Sequence, residues 1–313
     1  MKVLAKEQIN FRSINDLNEL VLSKIPSLPE EIDLVVAVPR SGYLVAAMIA
    51  LNINTRMCSY NEYINGLTPL GGQRTNRLQE DGKQVRNVLI VDDSVSTGWE
   101  MKRLKEQVAS LNLDDRITFL AAYVSTQGMA MVDIALEKLD YPQMFEWNLY
   151  HHPHLKRSCM EMDGVICLKP QAKELATTKA YEAFINNAKA RIIPTVEVGF
   201  IIADRPERYR EQTESWLRKH NVQYGMLIMN PDDSVLTESE DQNRSLTYKI
   251  NQYSSLDAFL YIGYSKEVAS EIFNKTQKAV FCVENHTFIN AKVSNTITQM
   301  KKIKRRLSFL KRG

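Results

Sequence analysis

The stretch Val-Leu-Ile-Val-Asp-Asp-Ser-Val-Ser-Thr-Gly, residues 88–98, precedes a helix-like segment from Glu100 to Leu111. Its apolar residues predict a short buried strand that ends at the acids Asp92 and Asp93. Ligands of parallel α/β sheets bind beyond the carboxyl ends of the strands, and a loop that leads into a helix offers backbone N–H groups to a phosphate. The hydroxyl-rich loop therefore predicts a phosphate site. The carboxylates predict contacts to sugar hydroxyls, or to a metal that bridges to them.

A second unit of the same kind lies earlier in the chain. Residues 34–38, LVVAV, predict a buried strand, and an apolar helix is predicted over 43–51. Between them lies Pro-Arg-Ser-Gly, in which Arg40 offers a planar fork to phosphate oxygens and Gly42 permits close approach of the backbone to a ligand. The chain contains neither G-x-x-x-x-G-K-[ST] nor G-x-G-x-x-G. The nucleotide loops that depend on those motifs are therefore excluded.

Together the two units resemble the substrate-binding motifs of type I phosphoribosyltransferases. The resemblance implies transfer of 5-phosphoribose from phosphoribosyl pyrophosphate (PRPP), with Mg²⁺ as cofactor and pyrophosphate as leaving group. Asp92 and Asp93 would bind the ribose hydroxyls and, through them, the metal. The resemblance also implies two phosphate-binding loops. The loop for the 5-phosphate contains Ser94, Val95, Ser96, Thr97 and Gly98, and the loop for the pyrophosphate contains Arg40, Ser41 and Gly42. One position departs from the pattern, because Glu100 stands where the family usually has Thr or Ser.

The segment from Asn61 to Gln84 is long, polar and rich in glycine. Loops of that length inside a compact domain are usually functional or disordered. In the family, the corresponding place holds a hood that closes over PRPP and excludes water, so Arg74 is the first candidate to reach the pyrophosphate and to assist catalysis. Lys83 is the next candidate, and Arg77 adds to the charge. The alternative is a solvated linker.

The second half of the chain resembles a phosphatase of the haloacid dehalogenase (HAD) superfamily in which key groups are missing. Residues 158–167, SCMEMDGVIC, match the D-x-D-G-V motif, except that Glu161 replaces the nucleophilic Asp and Asp163 keeps the acid/base position. A side chain longer by one methylene displaces the attacking oxygen by about 1 Å, which can cost on the order of a hundredfold in rate. Ala203 replaces a hydroxyl residue, Gly263 replaces a metal ligand, and Lys249 fits the phosphate-binding lysine. The pattern predicts an inactive HAD-like domain. An unrelated α/β domain and a working phosphatase with a Glu nucleophile remain open.

Three further local features between residues 133 and 216 can be predicted. Helices are predicted over Asp133–Leu139 and Arg205–Trp216. The cluster of His151, His152 and His154 is interrupted by a proline and lacks a nearby carboxylate or thiol, so a structural role is favoured over a metal site.

Composition bounds the classes of function. The net charge of +3 over 313 residues gives no indication of nucleic-acid binding. Cysteines at 58, 159, 167 and 282 fit neither a zinc site nor a disulfide framework, which favours reduced thiols in the cytoplasm. The amino-terminal residues lack the apolar core of a signal peptide, and no apolar run approaches the length of a membrane span.

The final residues carry a cluster of positive charge. Lysines and arginines dominate 301–313, and apolar residues recur every three or four positions from Ile297 to Leu310. That pattern is typical of a helix lying on a membrane surface, and equally of a solvated terminal helix packed on its domain. The first interpretation would place the protein at the inner face of the cytoplasmic membrane.

The predicted fold class is α/β, with two parallel-sheet domains at 1–150 and 151–290 and a basic tail at 291–313. Phosphoribosyltransferase and HAD domains joined in this way resemble enzymes of bacterial surface-polysaccharide synthesis. The resemblance implies a glycan acceptor, which may be lipid-linked, and a separate phosphatase that completes the ribofuranose. The alternatives are a nucleobase phosphoribosyltransferase acting on orotate or a purine, and a PRPP-sensing regulator. Asp93 and Glu62 are both candidates for the catalytic base, and a homodimer remains open.

Overall fold

The computed structural model describes residues 9–67, 86–231 and 239–290. The chain forms two compact units, one spanning Gln8–Trp147 and the other containing Asn148–Gly313. The predicted hood residues Arg74, Arg77 and Lys83, like the basic tail, lie outside the described residues. No helix of the described part of the chain is long and apolar enough to cross a membrane.

The first unit is built on a parallel sheet of five strands in the order β3-β2-β4-β5-β6, beside a small parallel pair formed by β1 and β7. Alternate residues of the central strand supply two cores, with Leu89 and Val91 on one face and Val88 and Ile90 on the other. Burial on both faces is what makes such a strand almost continuously apolar. The elements are β1 Asn10–Arg12, α1 Ile14–Lys24, β2 Leu34–Ala37, α2 Gly42–Ile53, β3 Arg56–Ser59, α3 Tyr60–Ile64, β4 Asn87–Val95, α4 Trp99–Ala109, β5 Arg116–Val124, β6 Ile134–Lys138 and β7 Gln143–Phe145.

Two sequence predictions for this unit are corrected. Strand β4 does not end at the two acids, because its ladder to β5 continues as far as Val95, which pairs with Val124. The segment Asp133–Leu139 is not a helix, because residues 134–138 form the parallel edge strand β6. Pairing with β5 favours the extended form there, while the Asp133 carboxylate accepts a hydrogen bond of 2.7 Å from the backbone N–H of Phe119.

The second unit contains a sheet of six strands in the order β10-β9-β8-β11-β12-β13, in which only the edge strand β13 is antiparallel. The predicted helix at Arg205–Trp216 begins later, at Arg210, because β9 continues to Pro206. The elements are β8 Ser158–Glu161, α5 Ala172–Leu175, α6 Thr178–Asn187, β9 Val198–Pro206, α7 Arg210–Lys219, β10 Tyr224–Asn230, α8 Ser239–Ser255, β11 Leu260–Gly263, α9 Lys266–Thr276, β12 Ala279–Cys282 and β13 Thr287–Ile289. The α/β fold class with parallel sheets is therefore confirmed.

Candidate functional site

The two predicted loops meet at the carboxyl edge of the first sheet. Strands β2 and β4 are parallel neighbours, and the backbone N–H of Val38 donates to the carbonyl of Val91 over 2.9 Å. At Gly42, which opens helix α2, an added Cβ would lie 2.7 Å from the Val91 carbonyl oxygen and 3.2 Å from Asp92 Oδ1. Only glycine permits this approach without a shift of the backbone. The Pro39–Arg40 peptide bond in the same loop is cis.

The predicted phosphate loop is reduced to three residues, Ser96, Thr97 and Gly98, between β4 and α4. Gly98 has φ of +79°, and no described side chain caps the start of α4. The first N–H groups of a helix lack partners within the helix, and with the helix dipole they favour a bound anion. The exposed hydroxyl residues Ser96 and Thr97 lie beside them. This arrangement suits a phosphate group.

A turn after β5 supports the back of the phosphate loop, which the sequence analysis did not foresee. The Ser125 hydroxyl donates to the carbonyl of Ser96 over 2.5 Å, and the Ser125 N–H donates to that of Val95 over 3.0 Å. The Gly128 N–H donates to the Ser125 hydroxyl over 3.1 Å. The loop is therefore held by a neighbouring strand end rather than by its own side chains.

Asp92 and Asp93 lie at this edge and differ in their surroundings. Asp92 is half-buried, and its Oδ1 accepts a hydrogen bond of 2.8 Å from the Asp93 N–H. Asp93 is 6% exposed, and its Oδ2 accepts a hydrogen bond of 2.7 Å from the indole Nε1 of Trp147. Burial, with the neighbouring Asp93 charge, raises the pKa of Asp92 to about 8. Burial also raises the pKa of Asp93, against the opposing effect of the Trp147 hydrogen bond.

Trp147 is the functional candidate that sequence reasoning missed. Its ring stacks on Phe145 at 4.9 Å between centroids, and Phe145 stacks on Tyr123 at 5.3 Å. Tyr123 lies on β5 directly opposite Ser94 of β4. The only available signal was an aromatic residue shortly after a buried strand, which does not indicate that its N–H meets a carboxylate far away in sequence.

Two other residues near the motifs have local partners. Glu62 closes a capping box at the start of α3, where its carboxylate accepts a hydrogen bond of 2.7 Å from the Ser59 N–H. Hydrogen bonds from the Ser59 backbone and side chain lower the Glu62 pKa. Glu100 forms an exposed ion pair with Arg103 one turn along α4. Both carboxylates thus have structural roles.

In the second unit, Glu161 is fully enclosed by polar partners at the end of β8. Its Oε1 lies 2.9 Å from the Lys249 ammonium and accepts a hydrogen bond of 2.7 Å from the Tyr261 hydroxyl. Its Oε2 accepts a hydrogen bond of 2.8 Å from the Tyr264 N–H. Burial favours the neutral acid, but Lys249 and these hydrogen bonds outweigh it and hold the pKa of Glu161 below its ordinary value.

Lys249 bridges two carboxylates, because its ammonium also lies 2.7 Å from Asp204 at the end of β9. Burial alone would lower its pKa, but Glu161 and Asp204 raise it above the ordinary value. The side chain predicted to bind phosphate therefore neutralises two acids. A cation already stands between the carboxylates that could hold a metal.

Asp163 forms a bidentate ion pair with Arg205. The fully buried guanidinium donates to both carboxylate oxygens, over 2.8 Å from Nη2 and 3.0 Å from Nε. Ala203 offers no hydroxyl beside the β8 end. At Gly263 an added Cβ would lie 2.6 Å from the Tyr261 ring and 3.4 Å from the Glu161 carboxyl carbon. A metal-binding side chain at that position would collide with Tyr261.

The three histidines make only local contacts among the interactions described for them. His151 Nδ1 lies 2.8 Å from the Thr195 hydroxyl, and His152 Nδ1 accepts a hydrogen bond of 3.2 Å from the His154 N–H. Burial, with the charge of His154, lowers the pKa of His152 to about 4. Among the described residues, no group of three potential ligands is placed to hold a metal ion.

Comparison with known proteins finds similarity over part of the chain. No family model matches the chain. Xanthine-guanine phosphoribosyltransferase of Idiomarina loihiensis is 28% identical over 141 residues, which are 43% of this chain and 81% of that protein. Transcriptional regulator GfcR 2 of Methanosarcina acetivorans is 25% identical over 101 residues, 32% of this chain and 50% of that protein. Purine phosphoribosyltransferase from Pyrococcus horikoshii matches in structure with 17% identity and a TM-score of 0.33, over 44% of this chain and 93% of that one.

The first unit is thus a parallel α/β unit in which the two loops and the paired acids meet at one edge of the sheet. The similarity to the curated relatives covers less than half of the chain.

Proposed function

We propose that the first unit binds PRPP with Mg²⁺ and transfers its 5-phosphoribose to an acceptor, with release of pyrophosphate. The carrying observation is that Asp92 lies between the two loops, in contact with Gly42 on one side and continuous with the phosphate loop on the other. One sheet edge therefore offers contacts for both phosphate-bearing ends of PRPP and for the ribose between them.

Each residue has a role that follows from its position. The N–H groups at the start of α4, with Ser96 and Thr97, bind the 5-phosphate. The 39–42 loop binds the pyrophosphate, whose departure leaves positive charge on the sugar as at other glycosyl centres. Asp92 and Asp93 bind the ribose hydroxyls and place negative charge near that developing cation.

The paired acids fit a substrate-bound Mg²⁺. Magnesium prefers oxygen ligands and usually takes only one or two carboxylates together with substrate phosphates. Two adjacent carboxyl groups with raised pKa values, one half-buried and one buried, favour a nearby cation. When bound, Mg²⁺ neutralises charge on the leaving pyrophosphate.

For the acceptor we propose a glycan, with the phosphate retained on the transferred ribose. Three features of the second unit support an inactive HAD-like domain: the enclosed Glu161, the Arg205-bound Asp163 and the crowded Gly263. The position of Glu161 at the end of the interior strand β8 also supports a relationship to HAD domains, whose first motif lies at a strand end. A separate phosphatase would then remove the phosphate, and the basic tail would bring the enzyme to a lipid-linked acceptor at the membrane surface.

A nucleobase acceptor is the second candidate. It is favoured by the similarity to a xanthine-guanine phosphoribosyltransferase and by the Trp147 ring beside the acids. A PRPP-sensing regulator would bind PRPP without releasing pyrophosphate.

The test is pyrophosphate release from PRPP and Mg²⁺ with a panel of acceptors: orotate, purine bases and lipid-mimetic glycans. Products are weighed by mass spectrometry. A glycan that gains phosphoribose supports the proposal, whereas a glycan that gains ribose alone would show that the second unit still hydrolyses phosphate. Release that depends only on a nucleobase would replace the glycan by the second candidate, and binding without release would favour the regulator.

A further inference from the structure

The second unit contains a cavity that is separate from its buried ion pairs. The cavity lies between the segment 168–174 and helix α6 and has a volume of about 580 Å³. Sites for small molecules usually measure about 300–1,000 Å³, so this cavity has the size of an organic ligand rather than of a single ion. Among the described residues, those that line it include neither Glu161, Asp163 nor Lys249.

The backbone fixes both walls of the cavity. The Leu168 N–H donates to the carbonyl of Lys189 over 2.9 Å, and Cys167 pairs with Ala190 in an antiparallel bridge. Helix α6 turns one face to the cavity, because residues three or four apart lie on the same side of a helix. The residues of that face are Ala180, Ala183, Phe184 and Asn187. The walls are therefore formed without a ligand.

Three exposed lysines line the cavity, Lys169, Lys173 and Lys189. Among the described residues, none of the three lies within ion-pair distance of a carboxylate, whereas Lys156 of the same unit pairs with Glu197. Ammonium groups gathered without acids repel one another, and a bound anion relieves that repulsion. The charge of the cavity therefore favours an anionic ligand.

An aromatic ring gathers part of this charge. The Lys169 ammonium lies 4.4 Å from the centroid of the Tyr264 ring, and the Arg191 guanidinium lies 4.7 Å from the same centroid. Cations are attracted to the face of an aromatic ring, which partly offsets their mutual repulsion. The backbone N–H of Tyr264 donates to Glu161 over 2.8 Å, so the residue that carries the ring is anchored to the buried network.

Glu174 is the acid among the described residues that line the cavity. Its Oε2 accepts a hydrogen bond of 2.7 Å from the Gln171 N–H, in the capping box at the start of α5. The carboxylate thus has a structural partner and forms no ion pair with the three lysines. The lining keeps a positive balance.

We propose that the cavity binds a small organic phosphate, with the phosphate group among the three lysines. A phosphomonoester carries about −1.5 to −2 charges near pH 7 and three acceptor oxygens, which suit three ammonium donors better than a single carboxylate does. The uncharged part of the ligand lies against Leu168, Ala183 and Phe184, of which Leu168 is 41% exposed in the free protein. This binding site is independent of the transfer reaction proposed for the first unit.

Phenyl phosphate is the probe, because it joins a phosphate dianion to an apolar ring. Calorimetric titration of the full chain should show saturable binding. Combining Lys169→Gln with Lys189→Gln should weaken it at least about tenfold, as expected for loss of a charge-assisted hydrogen bond. The matched control combines Lys179→Gln with Lys219→Gln, which removes the same charge from exposed lysines outside the cavity. It should change the affinity less than about twofold, because distant exposed charges are screened.

A second pair of variants tests the helix wall. Ala183→Glu places a carboxylate in the cavity from an exposed position of α6 and should abolish binding. Asn186→Glu adds the same charge at an exposed position of α6 outside the lining and should leave binding unchanged. Circular dichroism checks that both variants fold.

Acetylation of lysines, followed by mass spectrometry, locates the bound probe. Phenyl phosphate should protect the three cavity lysines and leave Lys179 and Lys219 reactive. No protection of the cavity lysines, or equal losses of affinity in the two double variants, would overturn the inference. Inorganic phosphate that binds as tightly as phenyl phosphate would overturn the organic part of the assignment. Benzoate that binds as tightly would overturn the phosphate.

Discussion

Gly42 lies against Asp92 so closely that a Cβ at position 42 would stand 3.2 Å from the carboxylate oxygen Oδ1. The same Cβ would be 2.7 Å from the carbonyl of the preceding residue, Val91. The 39–42 loop and the paired acids therefore share one contact.

Gly42→Ala should weaken PRPP binding at least tenfold, because the loop must move away from the acids. Inserting a methyl into a tightly packed position typically costs about 1–3 kcal/mol of stability, so the variant should still fold. Calorimetric titration measures the affinity, and circular dichroism checks the fold. Leu51→Ala is the control, because Leu51 lies on the same helix and is 81% exposed. Native affinity in Gly42→Ala would show that this contact is not part of the site.

Glu161→Gln should lower the free energy of unfolding strongly. It removes the charge that faces Lys249, and breaking one side of a buried ion pair typically costs about 3–5 kcal/mol. The control is Glu197→Gln, which breaks the exposed Lys156–Glu197 pair and should cost less than about 1 kcal/mol. Chemical denaturation followed by fluorescence measures the free energy of unfolding of both variants. Equal losses in the two variants would contradict a stabilising role for the buried Glu161–Lys249 pair.

The same pair predicts a pH dependence. The folded-state pKa of Glu161 is held below 4.5, its ordinary value. Its contribution is therefore fully present above that pH and is lost as the pH falls through the lower folded-state value. Native protein should lose stability steeply in acid, and Glu161→Gln should show a shallower fall. If the free energy of unfolding falls equally steeply with pH in both proteins, the pKa of Glu161 is not lowered in the folded state.

Asp163→Asn should leave phosphoribosyl transfer unchanged and leave the product phosphate in place. Asp163 binds Arg205 and is not available as an acid or base. Mass spectrometry of the glycan product measures the phosphate directly. If the native protein gives ribosylated product and the variant gives phosphoribosylated product, the second unit is a phosphatase after all.

The sequence predicts features that depend on neighbouring residues better than features that depend on contacts across the fold. The position of Asp92, Asp93 and Gly42 at one edge of the sheet could be predicted because short motifs at strand ends record local geometry, and their binding roles stay predictions. Trp147 could not be predicted in this way, because its partner lies across the fold. The sequence identified Lys249 as a phosphate-binding lysine but did not show that Lys249 neutralises Glu161 and Asp204, or that Arg205 neutralises Asp163, since such pairings form only in the fold. Residues 133–139 were assigned wrongly because a short edge strand depends on its neighbour more than on its own pattern.

Deletion of residues 297–313 should abolish binding to anionic lipid vesicles. Each Lys or Arg near an anionic surface contributes about 1 kcal/mol, and added salt should weaken the binding by screening. Vesicle co-sedimentation measures it, with vesicles of neutral lipid as control. Unchanged sedimentation of the shortened protein would refute a membrane role for the tail.

The most direct test of the account is calorimetric titration of Mg²⁺ and PRPP into the full chain and into the double variant Asp92→Asn, Asp93→Asn. We predict saturable binding by the native protein and loss of at least a hundredfold in affinity in the variant, whose amides keep the shape of the site without its charge. Equal affinity in the two proteins would contradict the assignment of this sheet edge as the PRPP site.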